Sequence, residues 1–290
     1  MNARPLLTLL LVFALGVASA TDAAAHDAEW SDQWPRFSLA EGVATGALGV
    51  TAIVFGAVLE ERREALWNTE ILVDLPFRRM LGARRDIGER RAARWSDGLV
   101  LSLVAAPFVV DVGGAFVHAG NGDLAAQMAF ISMESFAVSL ALTGVTKILV
   151  GRARPRLARC FAAQLIDPTF VCDPRPTVSF FSGHSSAAFT GAGLLCAFGT
   201  NVPLYGDGFV NKLPCYIGLT AATTTAMLRV VANRHHFSDI FVGVAVGLAS
   251  GWLLPVLAHF RESIQLSTDA APLERGALGS IPLIGWSGDF

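Results

Sequence analysis

Long apolar stretches separated by polar connections recur along most of this chain. They cover residues 39–59, 99–119, 125–150, 184–200, 213–232 and 240–260. Most of them reach the roughly 20 residues that a helix needs to cross a bilayer, and none shows the strict alternation of a half-buried strand. The pattern predicts an all-α fold, a bundle of six helices that passes through a membrane several times.

Polar residues inside some of these stretches leave a second interpretation open. The fourth stretch is short and contains Ser185, Ser186 and Thr190, while Asp111 and Glu134 lie inside the second and third stretches. A carboxylate at membrane depth costs about 2.5 kcal/mol or more on the insertion scale and normally faces the bundle interior. A very apolar but soluble helical bundle is therefore the alternative to a membrane protein.

The ends of the chain differ from the helical part. Arg4 is followed by an apolar run at residues 6–17 and by Ala18-Ser19-Ala20, the pattern of a secretory signal peptide with its cleavage site. We expect a signal peptide at 1–20, an N-terminal segment at 21–38, the helical domain at 39–260 and a polar C-terminal tail at 261–290.

Composition and charge narrow the class of protein. Hydrophobic residues make up 53% of the chain and charged residues 16%, with a formal net charge of -2. These values exclude a disordered chain and argue against a nucleic-acid-binding protein. Residues 60–97 contain nine arginines interleaved with acidic residues. This stretch fits a solvated helix with many salt bridges or an amphipathic helix on a membrane surface.

Two short stretches carry groups that are suited to binding an oxyanion. Lys147 ends the third apolar stretch and Arg154 follows in the loop, offering a compact charge and a planar fork that matches two phosphate oxygens. Ser182, Gly183 and His184 open the fourth predicted helix, where free N–H groups and the helix dipole favour an anion. Each stretch alone also has a structural explanation, as a snorkelling lysine or a helix cap.

A third stretch places two histidines near a carboxylate between the fifth and sixth predicted helices. His235 and Asp239 lie four residues apart and would share a helix face, and Arg229 precedes them. A carboxylate on one imidazole nitrogen fixes the tautomer and leaves the other nitrogen free to attack. His236 lies three residues from Asp239, so the spacing alone does not choose between the two histidines.

Together the three stretches resemble the type 2 phosphatidic acid phosphatase (PAP2) superfamily, which includes lipid phosphatases, class A acid phosphatases and vanadium haloperoxidases. The family pattern is K-x6-RP, then PSGH, then SR-x5-H-x3-D, and it selects His235 over His236. Phe181 stands where the family has proline, and Leu228 replaces a serine that could bond phosphate. The matching residues are Lys147, Arg154, Pro155, Ser182, Gly183, His184, Arg229, His235 and Asp239.

The resemblance implies a metal-independent phosphatase without a cofactor, which hydrolyses a lipid phosphate or pyrophosphate through a phosphohistidine. His235 would attack phosphorus, Asp239 would orient the imidazole of His235, and His184 would protonate the leaving oxygen. The expected partners are the lipid substrate and the bilayer, with no nucleic acid. The residues expected to hold the phosphoryl group are Lys147, Arg154, Ser182, Gly183 and Arg229.

Three other functions are also consistent with the sequence. A soluble periplasmic acid phosphatase of the same superfamily would purify without detergent. A vanadate-dependent haloperoxidase would use the same anion site but needs vanadate and peroxide. A non-catalytic membrane protein would hydrolyse no phosphate ester.

The cysteines and the positive charges favour opposite sides of the membrane for the predicted active site. Four cysteines in an exported chain permit two disulfides, of which we expect Cys160–Cys172 first and then Cys196–Cys215. A disulfide in the Cys160 loop favours a bacterial-type cell membrane with the active site on its periplasmic face. The lysines and arginines, 17 of which fall on the predicted active face, favour the cytoplasmic side.

Overall fold

The computed structural model describes residues 28–59, 64–157, 160, 165–166, 177–206 and 208–261, and within these ranges it contains helices and no strand. This confirms the predicted all-α bundle of six long helices, to which a short helix is added. The predicted signal peptide and the tail from residue 262 lie outside the described ranges. The helices are α1 Leu39–Val58, α2 Asp74–Leu81, α3 Asp86–Val117, α4 Gly122–Val150, α5 Gly183–Asn201, α6 Phe209–Val231 and α7 Phe237–Ala258.

The helix that follows the arginine-rich stretch begins much earlier than its apolar residues indicate. The apolar pattern predicts a start at residue 99, whereas α3 starts at Asp86. Asp86 and Glu89 in the first turn favour a helix start there. The first turns also bury small residues such as Ala92 and Ser96 on one side. Because arginines occupy the other side, the apolar pattern of the sequence does not reveal that this part of the helix is amphipathic.

Helix α5 occupies the centre of the bundle, and fifteen of its nineteen residues are buried. Helix α7 approaches it through three glycines at four-residue spacing, a geometry that small residues permit between membrane helices. A Cβ atom on Gly243, Gly247 or Gly251 would lie 2.6, 2.5 or 2.1 Å from a carbonyl oxygen of α5 or its cap. This close contact fixes the starts of α5 and α7 side by side. The carbonyls belong to Ser182, Ser186 and Thr190, in that order.

Helix α1 is the opposite of α5, because none of its residues is buried. Large apolar side chains such as Val43 and Ile53 are more than 60% exposed. Four helices, α1, α3, α4 and α7, are long and apolar enough to span a membrane. Because lipid tails accept apolar surface, this exposed surface suits membrane association.

The ends of the bundle are held by different chemistry. One end carries an aromatic cluster in which Phe260 packs against Trp30 and Trp34. Near that end a disulfide joins Cys196 of α5 to Cys215 of α6. Cys160, in the loop at the other end, is also disulfide-bonded. Its predicted partner, Cys172, lies outside the described ranges.

Candidate active site

The three sequence stretches meet at the end of the bundle where α4 finishes and α5 and α7 begin. The Ser182 amide donates to the carbonyl of Asp239 at 3.1 Å, and the Ser179 amide donates to the carbonyl of Arg152 at 3.0 Å. Gly151, with φ of 56°, ends α4 in the left-handed conformation that glycine favours. Backbone hydrogen bonds thus tie the loops together.

Lys147 reaches this site because Gly183 has no side chain. A Cβ atom at Gly183 would lie 3.2 Å from the Lys147 ammonium nitrogen and 2.9 Å from the Thr143 methyl carbon. The ammonium therefore sits over the first residue of α5, where the free amides of a helix start point. A cation and a helix N-terminus here face the same small space, which suits a phosphate oxygen.

His235 is buried, and one of its nitrogens is committed. Its Nδ1 lies 2.6 Å from the Ser179 carbonyl oxygen, which can only accept, so Nδ1 carries the proton. In the neutral ring Nε2 then has the free lone pair. Burial first, and then the charges of Arg229, Arg154 and Lys147, hold the pKa of His235 well below its ordinary value of 6.5. The ring is therefore neutral at pH 7.

The carboxylate of Asp239 does not bond this imidazole directly, which differs from the role the sequence predicts. Its Oδ2 lies 3.9 Å from His235 Nδ1. It accepts instead from the Ser179 hydroxyl at 2.6 Å and from the His236 amide at 2.9 Å. The tautomer of His235 is fixed by the backbone carbonyl of Ser179. Asp239 contributes indirectly, because it accepts a hydrogen bond from the side chain of the same serine.

His236, the rival histidine, is turned away from this role. Its Nε2 lies 3.1 Å from the Ala153 carbonyl oxygen, and its Nδ1 is buried 4.0 Å from the Asp74 carboxylate. Nε2 must donate to the carbonyl, so this ring ties the α7 start to the loop after α4. The geometry agrees with the family pattern in favouring His235.

His184 lies at the mouth and pairs with a residue that the sequence did not single out. Its Nε2 is 2.8 Å from Asp97 Oδ1, and the same oxygen accepts from Arg229 Nη1 at 3.0 Å. Burial lowers the pKa of His184, and the hydrogen bond to Asp97 opposes that shift. Because a carboxylate accepts, Nε2 carries a proton. Asp97 itself is largely exposed.

Arg229 and Ser182, two more of the predicted phosphate ligands, have donors that an oxyanion could accept from. Arg229 is 5% exposed, and its Nε is buried without a hydrogen-bond partner in the described part of the chain. Ser182 is fully buried and accepts two bonds from Ser185, which leaves its own O–H to donate. A bound oxyanion would satisfy both donors. Leu228, in place of the family serine, packs against Ala92, Ala93 and Ala232.

Sequence reasoning missed three supporting residues besides Asp97. Ser179 carries the carbonyl that holds His235. Arg152 is fully buried and forms ion pairs with both Asp239 and Asp74. Arg152 lies between Lys147 and Arg154, so its position in the motif was a usable signal. Asp74 and Asp97 lie 165 and 142 residues before Asp239, and no local spacing points to either.

A separate group of potential metal ligands lies away from this site. Glu41, Glu134 and His259 each bring one such atom to within 4.8 Å of the others. The group joins α1 and α4 to the residue after α7.

Comparisons with known proteins agree with the motif pattern. Residues 129–263, which contain all three motifs, match the family model of the PAP2 superfamily. A PA-phosphatase related-family protein of Dictyostelium discoideum is 29% identical over 157 residues, or 53% of this chain and 56% of that protein. The match thus spans little more than half of the relative's length. No solved structure matches the chain significantly.

Proposed function

Because residues 129–263 match the family model of the PAP2 superfamily, we propose that this protein is a membrane phosphatase that hydrolyses a lipid phosphate or pyrophosphate through a phosphohistidine. The observation that carries the proposal is the state of His235. Its proton is held on Nδ1 by the Ser179 carbonyl, and burial, together with nearby cations, keeps the pKa of the ring below its ordinary value. A neutral imidazole with Nε2 available is the form that a nucleophile requires.

The reaction has two steps. Nε2 of His235 attacks phosphorus, the bond to the leaving oxygen breaks, and the imidazolium form of His184 gives that oxygen a proton, which leaves His184 neutral. Water then attacks the phosphohistidine, gives its proton to His184 and releases phosphate with a free His235. Asp97 accepts from Nε2 of His184 and orients the ring, which leaves the other ring nitrogen, Nδ1, for both proton transfers.

Three cations stabilise the phosphoryl group during these transfers. Lys147 lies beside Gly183, and the charges of Arg154 and Arg229 act on the same imidazole. Fixed positive groups in a partly buried site stabilise the extra negative charge of the transition state without reorganisation. The Gly183 amide and the Ser182 hydroxyl add neutral donors.

The apolar surface around this end supports a lipid substrate. Leu149, two residues after Lys147, is 63% exposed, and Leu66, whose amide donates to the Gly151 carbonyl, is 62% exposed. Leu149 lies near the end of α4, which is long and apolar enough to span a membrane, so a position at the membrane surface is proposed for this end of the bundle. The Dictyostelium relative is described as PA-phosphatase related, which agrees with a phosphatidate-like substrate.

The active end faces the periplasm. The disulfide at Cys160 supports this side, because disulfides persist outside a reducing cytosol. The Cys196–Cys215 bridge lies toward the other end, so it does not decide the matter. In reduced, intact spheroplasts an impermeant thiol reagent will label Cys160. Labelling only after lysis would place the site in the cytoplasm.

The purified protein in detergent tests the proposed activity. We expect it to release phosphate from phosphatidate or a prenyl pyrophosphate faster than from a water-soluble ester. His235→Ala removes the nucleophile and is expected to be inactive, whereas His236→Ala, the neighbouring matched control, keeps measurable turnover. Folded His235→Ala protein that hydrolyses the lipid at the wild-type rate would refute the proposal.

A further inference from the structure

We propose that Asp74 and Arg152 form a positioning pair that holds Asp239 and, through Ser179, the nucleophile His235. The inference rests on the proposed function, because it assigns both residues to the reaction of His235. Neither residue needs to touch the substrate. Arg152 lies inside the first motif but has a partner set of its own, and Asp74 lies in a region that no motif covers.

Arg152 is a cation shared by two carboxylates. Its side chain is fully buried; its Nη2 lies 2.6 Å from Asp74 Oδ2, and its Nη1 is hydrogen-bonded to Asp239 Oδ1. The Trp67 ring covers the guanidinium at 3.9 Å. A planar guanidinium can donate in two directions at once, whereas a lysine ammonium is a single point charge. Arginine is therefore the residue that can connect these carboxylates.

The connection continues from Asp239 to the nucleophile. Asp239 accepts from the Ser179 hydroxyl at 2.6 Å, and the Ser179 carbonyl accepts from His235 Nδ1 at 2.6 Å. Three ordered contacts thus join Arg152 to the ring that attacks phosphorus. A shift in Arg152 moves the carbonyl that sets both the tautomer and the aim of His235.

Asp74 fixes the other side of the same unit. Its carboxylate accepts from the Ser238 amide at 2.9 Å and the Ser238 hydroxyl at 3.0 Å, next to Asp239 at the start of α7. Burial would raise the pKa of Asp74, but hydrogen bonds from Ser238, Ile71 and Arg152 outweigh burial and lower it. Asp74 is therefore ionised and holds Arg152 and the α7 start together.

The charges of the cluster also suit the reaction. Two carboxylates face one guanidinium, so the cluster carries an excess negative charge behind His235. The imidazole gains positive charge when its Nε2 bonds phosphorus while Nδ1 keeps its proton. Fixed negative charge behind the ring stabilises that state. Lys147, Arg154 and Arg229 are instead the proposed ligands of the phosphoryl group.

Asp74→Asn tests the inference with an isosteric change. We expect kcat to fall by about ten- to a hundredfold, because a small misplacement of a reacting group has this cost. KM and the inhibition constant of inorganic phosphate are expected to stay within about twofold, since the phosphate ligands are unchanged. Arg152→Lys, which keeps the charge but not the two-way contact, is expected to show the same pattern.

Glu134→Gln is the matched control. Glu134 forms a buried contact with His259, 3.1 Å between Oε2 and Nε2, outside the catalytic machinery. We expect it to lower thermal stability and leave kcat unchanged. The steady-state rate is divided by the concentration of active sites, which is measured as the amount of phosphohistidine formed in a rapid-quench burst. Misfolded protein is then not counted and does not lower the measured kcat.

The outcomes separate this inference from the proposed function. A wild-type protein that hydrolyses no phosphate ester contradicts the proposed function before any variant is made. An active wild type with an unchanged kcat per site in Asp74→Asn overturns the positioning role alone. A loss of competent sites with normal kcat per site in both variants would assign the pair to folding and also overturn it.

Discussion

Helix α7 has a histidine and a carboxylate at each end, and a catalytic role is proposed for only one of the two pairs. Asp239 in the first turn lies near His235, and His259 after the last turn contacts Glu134 of α4. Twenty residues of helix put the two pairs about 30 Å apart. Both histidines are buried, so burial and a nearby carboxylate do not distinguish them.

The difference lies in which nitrogen is committed and in the surrounding charge. Nε2 of His259 contacts the carboxylate, and its buried Nδ1 has no hydrogen-bond partner in the described ranges. Phe37 lies 6.2 Å from that ring. His235 instead has Nδ1 committed to a carbonyl, and cations near it. The histidine of such a pair is a candidate nucleophile when the carboxylate does not bond the ring directly, one nitrogen is bonded to a carbonyl, and cations lie near the ring.

Removing the imidazole of His235 is expected to reduce activity most. His235→Ala is expected to lower kcat by about a thousandfold or more, in line with the loss of other covalent nucleophiles. His259→Ala at the other end is expected to lower stability and leave the activity of the folded fraction unchanged. Initial rates on a phosphatidate panel, with melting curves for each variant, measure both. Equal losses of specific activity would remove the distinction between the two ends.

A smaller loss follows from removing one cation in front of His235. Arg229→Ala is expected to lower kcat/KM by about a hundredfold, the typical cost of one transition-state donor. Arg36→Ala, which removes an arginine paired with Asp123 near the opposite end, provides the control and is expected to change nothing in the rate. Steady-state kinetics on one lipid phosphate suffices. A wild-type kcat/KM for Arg229→Ala contradicts its role as a phosphate ligand.

Asp97→Asn tests the role of His184 through the pH dependence of kcat/KM. The hydrogen bond to Asp97 raises the pKa of His184 against the effect of burial, so its loss lowers that pKa further. His184 must be protonated to act as the acid, and the high-pH limb of kcat/KM is expected to move to lower pH. A pH–rate profile of both proteins measures the shift. A limb that stays in place, or moves upward, argues against His184 as the acid.

The smallest effect on activity is expected at the disulfide near the aromatic end. Cys196 and Cys215 are separated by 19 residues, and a loop of that size contributes about 3 kcal/mol in the chain-entropy account. Cys215→Ser is expected to lower the melting temperature and keep kcat at its wild-type value. Thermal unfolding with and without reductant measures this. A large loss of kcat at unchanged stability would couple the two ends.

Local sequence signals predict the parts of the site that depend on neighbours in the chain. Ser182 and Gly183 open a helix in the sequence and in the structure, and the His235–Asp239 spacing places both at the α7 start. Asp97 and Asp74 were not predictable, because they come from other elements and are brought in only by packing. The start of α3 was hidden because its first buried residues are a glutamate, Glu89, and the small residues Ala92, Ala93 and Ser96, which carry little hydropathy signal.

In the proposed reaction His235 carries the phosphoryl group during turnover. A rapid-quench experiment with a lipid substrate labelled in its phosphate, followed by peptide mapping under basic conditions that preserve phosphohistidine, tests it directly. We predict that the label appears within the first turnover on the peptide that contains His235 and is absent from His235→Ala. Turnover without a labelled protein, or with the label on another residue, would contradict the account.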